Sequence, residues 1–208
     1  FLGDYADGWS ETPELLDFLI GYRQKQRCLF LRGNHDALCY DFLLGKPMDT
    51  LWRLHGGKAT EKAYRNVTHE RRNAHLNFLA KLENYYLDSK NRLFLHAGFT
   101  NLRGIAHEHF EQMFYWDRTL WEVAQSCNLS PTDPHFPNRL KLYTEIYIGH
   151  TPTTRLGTDK PLSFNGVTNV DTGAAFKGRI TIIDIDTRDY WQSDPVHTLY
   201  PDEQGRNM

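Results

Sequence analysis

No apolar run in this chain approaches the roughly 18 residues that a membrane-spanning helix needs, so no span is expected. Charge of either sign is not in excess. The 24 Lys and Arg stand against 26 Asp and Glu, a formal net charge of -2, which leaves no electrostatic footprint for nucleic acid or an anionic lipid surface. Cysteine is scarce: Cys28, Cys39 and Cys127 are odd in number, widely spaced and without a C-x-x-C, which fits a reducing, cytoplasmic setting better than a disulfide framework. An initiator Met is also lacking. The chain opens on Phe1-Leu2-Gly3-Asp4, which reads as the end of a buried strand already in progress, so an upstream segment is expected.

What is present suits one well-buried domain over residues 1–208, with 40% hydrophobic residues. Pro13 suits the first turn of a helix whose Leu15, Phe18, Leu19 and Tyr22 recur at i, i+3, i+4 and i+7, running to about Gln26. Cys28 to Leu31 reads as a strand entering the loop Gly33-Asn34-His35-Asp36, followed by a helix that Gly45 and Pro47 stop after Leu44. Thr68 is a plausible N-cap for a second long helix with Leu76, Leu79 and Leu82 on one face. Tyr85–Leu87 and Arg92–Leu95 read as two strands joined by a turn. Residues 101–142 are aromatic and interrupted by Pro131, Pro134 and Pro137, so they are expected to form a helical insertion or lid. Strands are expected again at Ile146–Ile148, Val167–Val170 and Ile180–Ile185. Strands alternating with helices, then strands in succession, predict an α/β fold: two mixed β-sheets packed as a sandwich and flanked by helices.

Four apolar segments end in a titratable or metal-capable residue beside a glycine: Gly3-Asp4, Gly33-Asn34-His35, His96-Ala97-Gly98 and Gly149-His150. In open sheets ligands gather beyond the carboxyl ends of the strands, so the four groups can share one site. Taken singly, an Asp after a strand is more often a turn residue and a His more often structural. The ordered set changes that weight.

The set resembles the calcineurin-like metallophosphoesterases, and within them the phosphoprotein phosphatases of bacteria and bacteriophages. The family's G-D-x-x-D-R-G corresponds to Gly3-Asp4-Tyr5-Ala6-Asp7-Gly8-Trp9, its G-N-H-[DE] to Gly33–Asp36, its H-[AG]-G to His96–Gly98 and its G-H-T-P to Gly149–Pro152; Val170-Asp171-Thr172-Gly173-Ala174 looks like its terminal strand and turn. The resemblance implies that Asp4 bridges two divalent transition metals, manganese first and iron or zinc as alternatives, and that Asn34, His96 and His150 complete the second metal's ligands. His35 would protonate the leaving oxygen, with Asp7 orienting it. Arg118, in Trp116-Asp117-Arg118, resembles the phosphate-gripping Arg of the phage enzymes.

Two departures qualify the resemblance. Gly8 stands where the family places a phosphate-binding Arg, so that grip is absent or supplied elsewhere. The family's first strand ends in D-x-H, and no such motif precedes Gly3-Asp4. The expectation is therefore a longer protein, with a further strand and helix upstream. The implied activity is phosphomonoester hydrolysis of the serine/threonine protein phosphatase type, on a phosphorylated protein. Hydrolysis of dinucleoside polyphosphates or another small phosphoester is the second enzymatic reading, and a noncatalytic binding module on the same fold is the third.

Overall fold

The computed structural model describes residues 1–206. Its helices and strands follow in the order α1 (Thr12–Lys25), α2 (Asn34–Leu43), α3 (Thr50–Trp52), α4 (Lys58–Ala63), α5 (His69–Ala80), β1 (Tyr85–Leu87), β2 (Arg92–Leu95), α6 (Met113–Trp116), α7 (Thr119–Ser126), α8 (Asn138–Lys141), β3 (Glu145–Ile148), β4 (Leu162–Phe164), β5 (Val167–Asn169), β6 (Thr181–Ile183) and β7 (Tyr190–Gln192). The class is α/β, as expected. Strands β1 to β5 form one mixed sheet in the order β1-β2-β3-β5-β4, with β2, β3 and β5 parallel and the edge strands β1 and β4 antiparallel to their neighbours. The second sheet, β6 with β7, is purely antiparallel rather than mixed, because a short turn from Asp184 to Asp189 joins its strands and a hairpin permits no other pairing.

The central strands carry the apolar residues that a sheet covered on both faces requires: Ile146, Tyr147, Ile148 and Val167 are all buried. Helices from 101–142 cover one face. Phe114, Leu120, Trp121, Phe136 and Leu140 of that segment pack into the same cluster as Leu93, Leu95, Ile146, Ile148 and Val167. A second cluster, with Leu16, Leu19, Phe30, Leu43, Phe78 and Leu79, holds the N-terminal helices together. Thr68 caps α5 by accepting from the Arg71 amide at 3.3 Å, as its position predicts.

Three expectations are corrected. The apolar stripe of α1 is Leu16 and Leu19 with Pro13, whereas Leu15, Phe18 and Tyr22 are 40%, 60% and 37% exposed. The sequence offers two overlapping stripes, and packing against α4 and α5 selects between them. Cys28–Leu31 is not a regular strand: Leu31 makes one isolated parallel bridge to Glu83, and its amide donates to the Phe1 carbonyl at 3.0 Å. Phe1–Gly3 likewise runs beside it without forming a strand, and Phe1 is 53% exposed rather than buried. Too few ladder bonds connect these short segments for either to register as sheet.

Candidate active site

Asp4, His96 and His150 lie on three separate loops and Asn34 opens α2, and the fold brings all four together. Asp4 Oδ1 is 3.4 Å from His96 Nε2, the His96 and His150 rings are 5.2 Å apart, and His150 Nδ1 pairs with Asn34 Oδ1 at 2.9 Å. Glycine permits the closest approach. Gly3, at φ +93°, has Gly33 N 2.5 Å from where a Cβ would sit, and a Cβ on Gly33 would strike the Asp4 carboxylate. Asp4 thereby reaches the N-terminus of α2, where the His35 amide donates to its Oδ1 at 3.1 Å.

The backbone at the site is locally strained. Asp4, Asp7 and His150 adopt φ of 62°, 71° and 67°, left-handed conformations that cost a non-glycine residue about 1 kcal/mol or more and persist only where the surroundings over-determine them. Asp36 supplies much of that constraint. Its buried carboxylate accepts from the amides of Gly33, Asp4 and Tyr5, each at 2.7 Å, so it clamps the Asp4 loop to the first turn of α2. Burial first, and then the Asp4 charge, push Asp36 up to about 8, against those three donors, which favour the ionised form. Asp36 closes the G-N-H-[DE] motif, and its place three residues after the N-cap Gly33 is the sequence signal for this clamp.

Asp7 and His35 form a buried pair, Oδ2 to Nδ1 at 2.7 Å. Trp52 Nε1 donates to the same oxygen at 2.7 Å and Thr60 Oγ1 to the other at 2.6 Å, so every lone-pair direction that matters is committed and the His35 ring is held. Sequence reasoning missed Trp52 and Thr60, since neither lies in a motif. Arg118 reaches the same region: it donates to Thr151 Oγ1 at 3.2 Å, and burial, then the neighbouring Arg155, lower its pKa. Trp116, two residues before, meets the His150 ring edge-on at 6.2 Å.

Both imidazoles have one nitrogen fixed and one free. His96 Nδ1 lies 2.6 Å from the Leu2 carbonyl, which can only accept, so that nitrogen carries a proton. His150 Nδ1 is engaged by Asn34 Oδ1 in the same way. Both Nε2 atoms are buried and without a hydrogen-bond partner. Burial, followed by His96 and Arg118, pushes His150 down to about 2, so this ring is neutral. Burial would raise Asp4, but His96, Arg206 and His35 outweigh it and hold the carboxyl well below the usual range.

Two further residues belong to the neighbourhood. Asp171, in the Val170–Ala174 turn, is raised by burial and lies within electrostatic reach of Asp4, His96 and Arg206. Asn169 is fully buried, donates to the Thr151 carbonyl at 2.7 Å and accepts from the Asp171 amide at 2.9 Å, which ties this turn to the His150 loop.

A family model for calcineurin-like phosphoesterases matches residues 1–176. The chain belongs to this family. The calcineurin-like fold is also shared with solved structures at low identity. One is a protein provisionally described as a diadenosine tetraphosphatase, at TM-score 0.57 and 11% identity, over 92% of this chain and 77% of that one. Among curated relatives, the bis(5'-nucleosyl)-tetraphosphatase PrpE of Anoxybacillus flavithermus is 24% identical over 190 residues, covering 88% of this chain and 73% of its own. The PrpE of Bacillus cereus is 27% identical over 191 residues with the same coverage. These names differ from the phosphoprotein phosphatases that the motifs first suggested.

Calcineurin-like phosphoesterases are metal-dependent hydrolases, and the donors present fit a divalent ion in chemistry. They are one carboxylate, one carboxamide and two imidazoles whose Nε2 atoms are buried and without a hydrogen-bond partner. Among the described residues no three His, Cys, Asp or Glu side chains already stand as a closed cage, and Asp4 Oδ2 is taken by Arg206 Nη1 at 2.7 Å. No helix is long and apolar enough to cross a membrane among these residues.

Proposed function

We propose that the protein is a metal-dependent hydrolase of small phosphoesters and phosphoanhydrides, with dinucleoside polyphosphates as the substrate class. The observation that carries the catalytic reading is the buried Asp7–His35 pair beside the Asp4 carboxylate, a base-orienter geometry at 2.7 Å. The substrate class is supported by the PrpE relatives, which are named for asymmetric cleavage of bis(5'-nucleosyl) tetraphosphates.

Asp4, Asn34, His96 and His150 would hold the metal, manganese being the first choice for such a mixed oxygen and imidazole set. When bound, divalent ions lower the pKa of coordinated water and neutralise charge on the transferred phosphoryl oxygens. The chain's own residues then have distinct tasks. The Leu2 carbonyl and the Asn34 carboxamide fix the tautomers of His96 and His150, presenting a lone pair at each Nε2. Asp7 keeps the His35 proton on Nδ1 and stabilises the imidazolium, so that Nε2 can deliver a proton to the oxygen that leaves phosphorus. The water oxygen bonds to phosphorus as that bond breaks, the proton from His35 neutralises the departing alkoxide or phosphate, and the proton the water sheds passes to solvent, from which His35 is reprotonated. Arg118 would grip a non-reacting phosphoryl oxygen by charge-assisted hydrogen bonds.

The test compares diadenosine tetraphosphate with a panel of phosphoserine and phosphothreonine peptides, on protein reconstituted with manganese. Turnover of the dinucleotide at a kcat/KM well above every peptide supports the proposal, and the reverse order returns the protein to the phosphoprotein phosphatases. Turnover of neither, nor of an aryl phosphate, leaves the binding-module reading in its place.

A further inference from the structure

The family's arginine after the second motif Asp is replaced by Gly8, and the next residue is Trp9. The structure gives both replacements a physical partner in the C-terminal tail. Trp9 Nε1 donates to the Ala174 carbonyl at 3.0 Å and its ring stacks on Tyr200 at 4.9 Å. Ser10 bonds Glu203 through its amide at 2.9 Å, and the Arg206 amide donates to the Ala175 carbonyl at 2.8 Å. The tail is thus fastened across residues 8–10.

Gly8 leaves the room that Arg206 occupies. With φ of +105°, Gly8 would place a Cβ 3.2 Å from Arg206 Cγ, and Gly56, at φ +104°, would place one 2.9 Å from the same atom. The Arg206 stem lies against both of these glycines, and its guanidinium arrives inside the site. Nη1 donates to Asp4 Oδ2 and Nη2 to the Ala6 carbonyl, both at 2.7 Å. Nε is buried without any partner. The side chain is only 9% exposed. A buried guanidinium with an orphaned N–H is costly unless an acceptor joins it, and a cation that takes Asp4 Oδ2 would release Nη1 as well. Nε and Nη2 share one edge of the guanidinium, and Nη2 has a second hydrogen beside the one given to the Ala6 carbonyl, so these two form the fork that matches two oxygens of a phosphoryl group. Arg206 also borders an open cleft of about 610 Å³ lined by Phe176, Lys177, His197 and Tyr200.

We propose that Arg206 is the phosphate grip that Gly8 cannot supply: a tail residue delivers, through the space vacated by the family's arginine, the guanidinium that binds the substrate's phosphoryl oxygens. The assignment rests on the phosphoester-hydrolase reading above. It makes Gly8, Trp9 and Arg206 one unit, in which Gly8 provides space, Trp9 anchors the tail and Arg206 provides charge.

The probe is inorganic phosphate, measured by calorimetry on the manganese-loaded protein and as a competitive inhibitor of aryl phosphate turnover. Arg206→Ala should weaken phosphate binding about ten- to a hundredfold, the range of a lost charge-assisted fork, with manganese stoichiometry unchanged. Arg206→Lys, which keeps the charge without the fork, should recover only part of it. Should the alanine variant unfold, modification of the wild-type protein by phenylglyoxal decides: phosphate should protect Arg206 from the reagent, read by peptide mass. Unchanged phosphate affinity in a folded variant, or equal modification with and without phosphate, would overturn the assignment and leave Arg206 as a counter-ion of Asp4. A wild-type protein that takes up manganese but neither binds phosphate nor cleaves an aryl ester would instead sink the phosphoester reading itself, and this proposal with it.

Discussion

Replacing Asp7 by Asn separates the charge of the Asp7–His35 pair from its geometry. Asp7 accepts three hydrogen bonds, from His35 Nδ1 and Trp52 Nε1 at Oδ2 and from Thr60 Oγ1 at Oδ1. An asparagine can keep its carbonyl oxygen toward His35 and Trp52. Its amide then faces Thr60, whose hydroxyl can turn to accept that N–H and donate instead to Thr12 Oγ1, 3.3 Å away. All three contacts survive in Asp7→Asn, and the fold should melt within a few degrees of wild type. What is lost is the carboxylate's preference for an imidazolium at His35. A hydrogen bond to a charged partner contributes about 1.5–3 kcal/mol and a neutral one about 0.5–1.5, so the imidazolium loses on the order of 1–2 kcal/mol. That converts to roughly a 5- to 30-fold fall in rate wherever proton delivery limits turnover. The assay compares kcat/KM for an alkyl phosphate or dinucleoside polyphosphate with that for p-nitrophenyl phosphate, whose leaving group departs without a proton. Loss confined to the first class is the expected outcome. An equal fall on both substrates in a variant that melts normally would show that the pair positions something other than a leaving-group proton.

Three other perturbations probe the same architecture. His35→Asn should slow poor leaving groups by roughly 10²- to 10⁴-fold and an activated aryl phosphate much less, with manganese binding intact by calorimetry. Asp36→Ala strips three backbone amides of their acceptor, and at about 1–3 kcal/mol per unsatisfied group, partly offset by the carboxylate no longer buried, the protein should melt roughly 5–15 °C lower; an unshifted melting curve would mean water replaces the clamp. Arg118→Ala should raise KM and the phosphate inhibition constant while leaving manganese stoichiometry alone, and unchanged values for both would make Arg118 a loop fastener through Thr151.

The motif residues were readable because each sits where an apolar segment meets a glycine-bearing loop, and local pattern reports such junctions directly. Asp4, Asn34, His96 and His150 converge for that reason, and Asp7 meets His35 as the order of motifs implied. The partners that hold them were not legible. Trp52 and Thr60 come from short helices without a signature, and Asn169 is one polar residue inside a buried strand. Their roles exist only once the chain has folded. The α1 face failed for a different reason: Leu15, Leu16, Phe18, Leu19 and Tyr22 give two helical stripes of similar apolarity, and only the position of α4 and α5 decides which one is covered. Gly8 is the converse case, since the sequence marked it as a departure and the structure shows what occupies the space.

The tail stitched across Trp9 also sets a timetable for a nascent chain. The site assembles from residues at positions 4, 34, 96, 150 and 206, so its pieces leave the ribosome far apart in time. At about 5–20 residues per second, roughly ten to forty seconds of synthesis separate the appearance of Asp4 from that of Arg206. Through that interval the Arg206 guanidinium is missing from Asp4. The helical layer around Leu16, Leu19 and Phe78 consists of early, nearby segments and can collapse first, whereas the pairing of residues 9 and 200 is among the longest-range contacts in the molecule. Such a protein becomes competent late, by a closure that joins the two distant stretches of its own polypeptide.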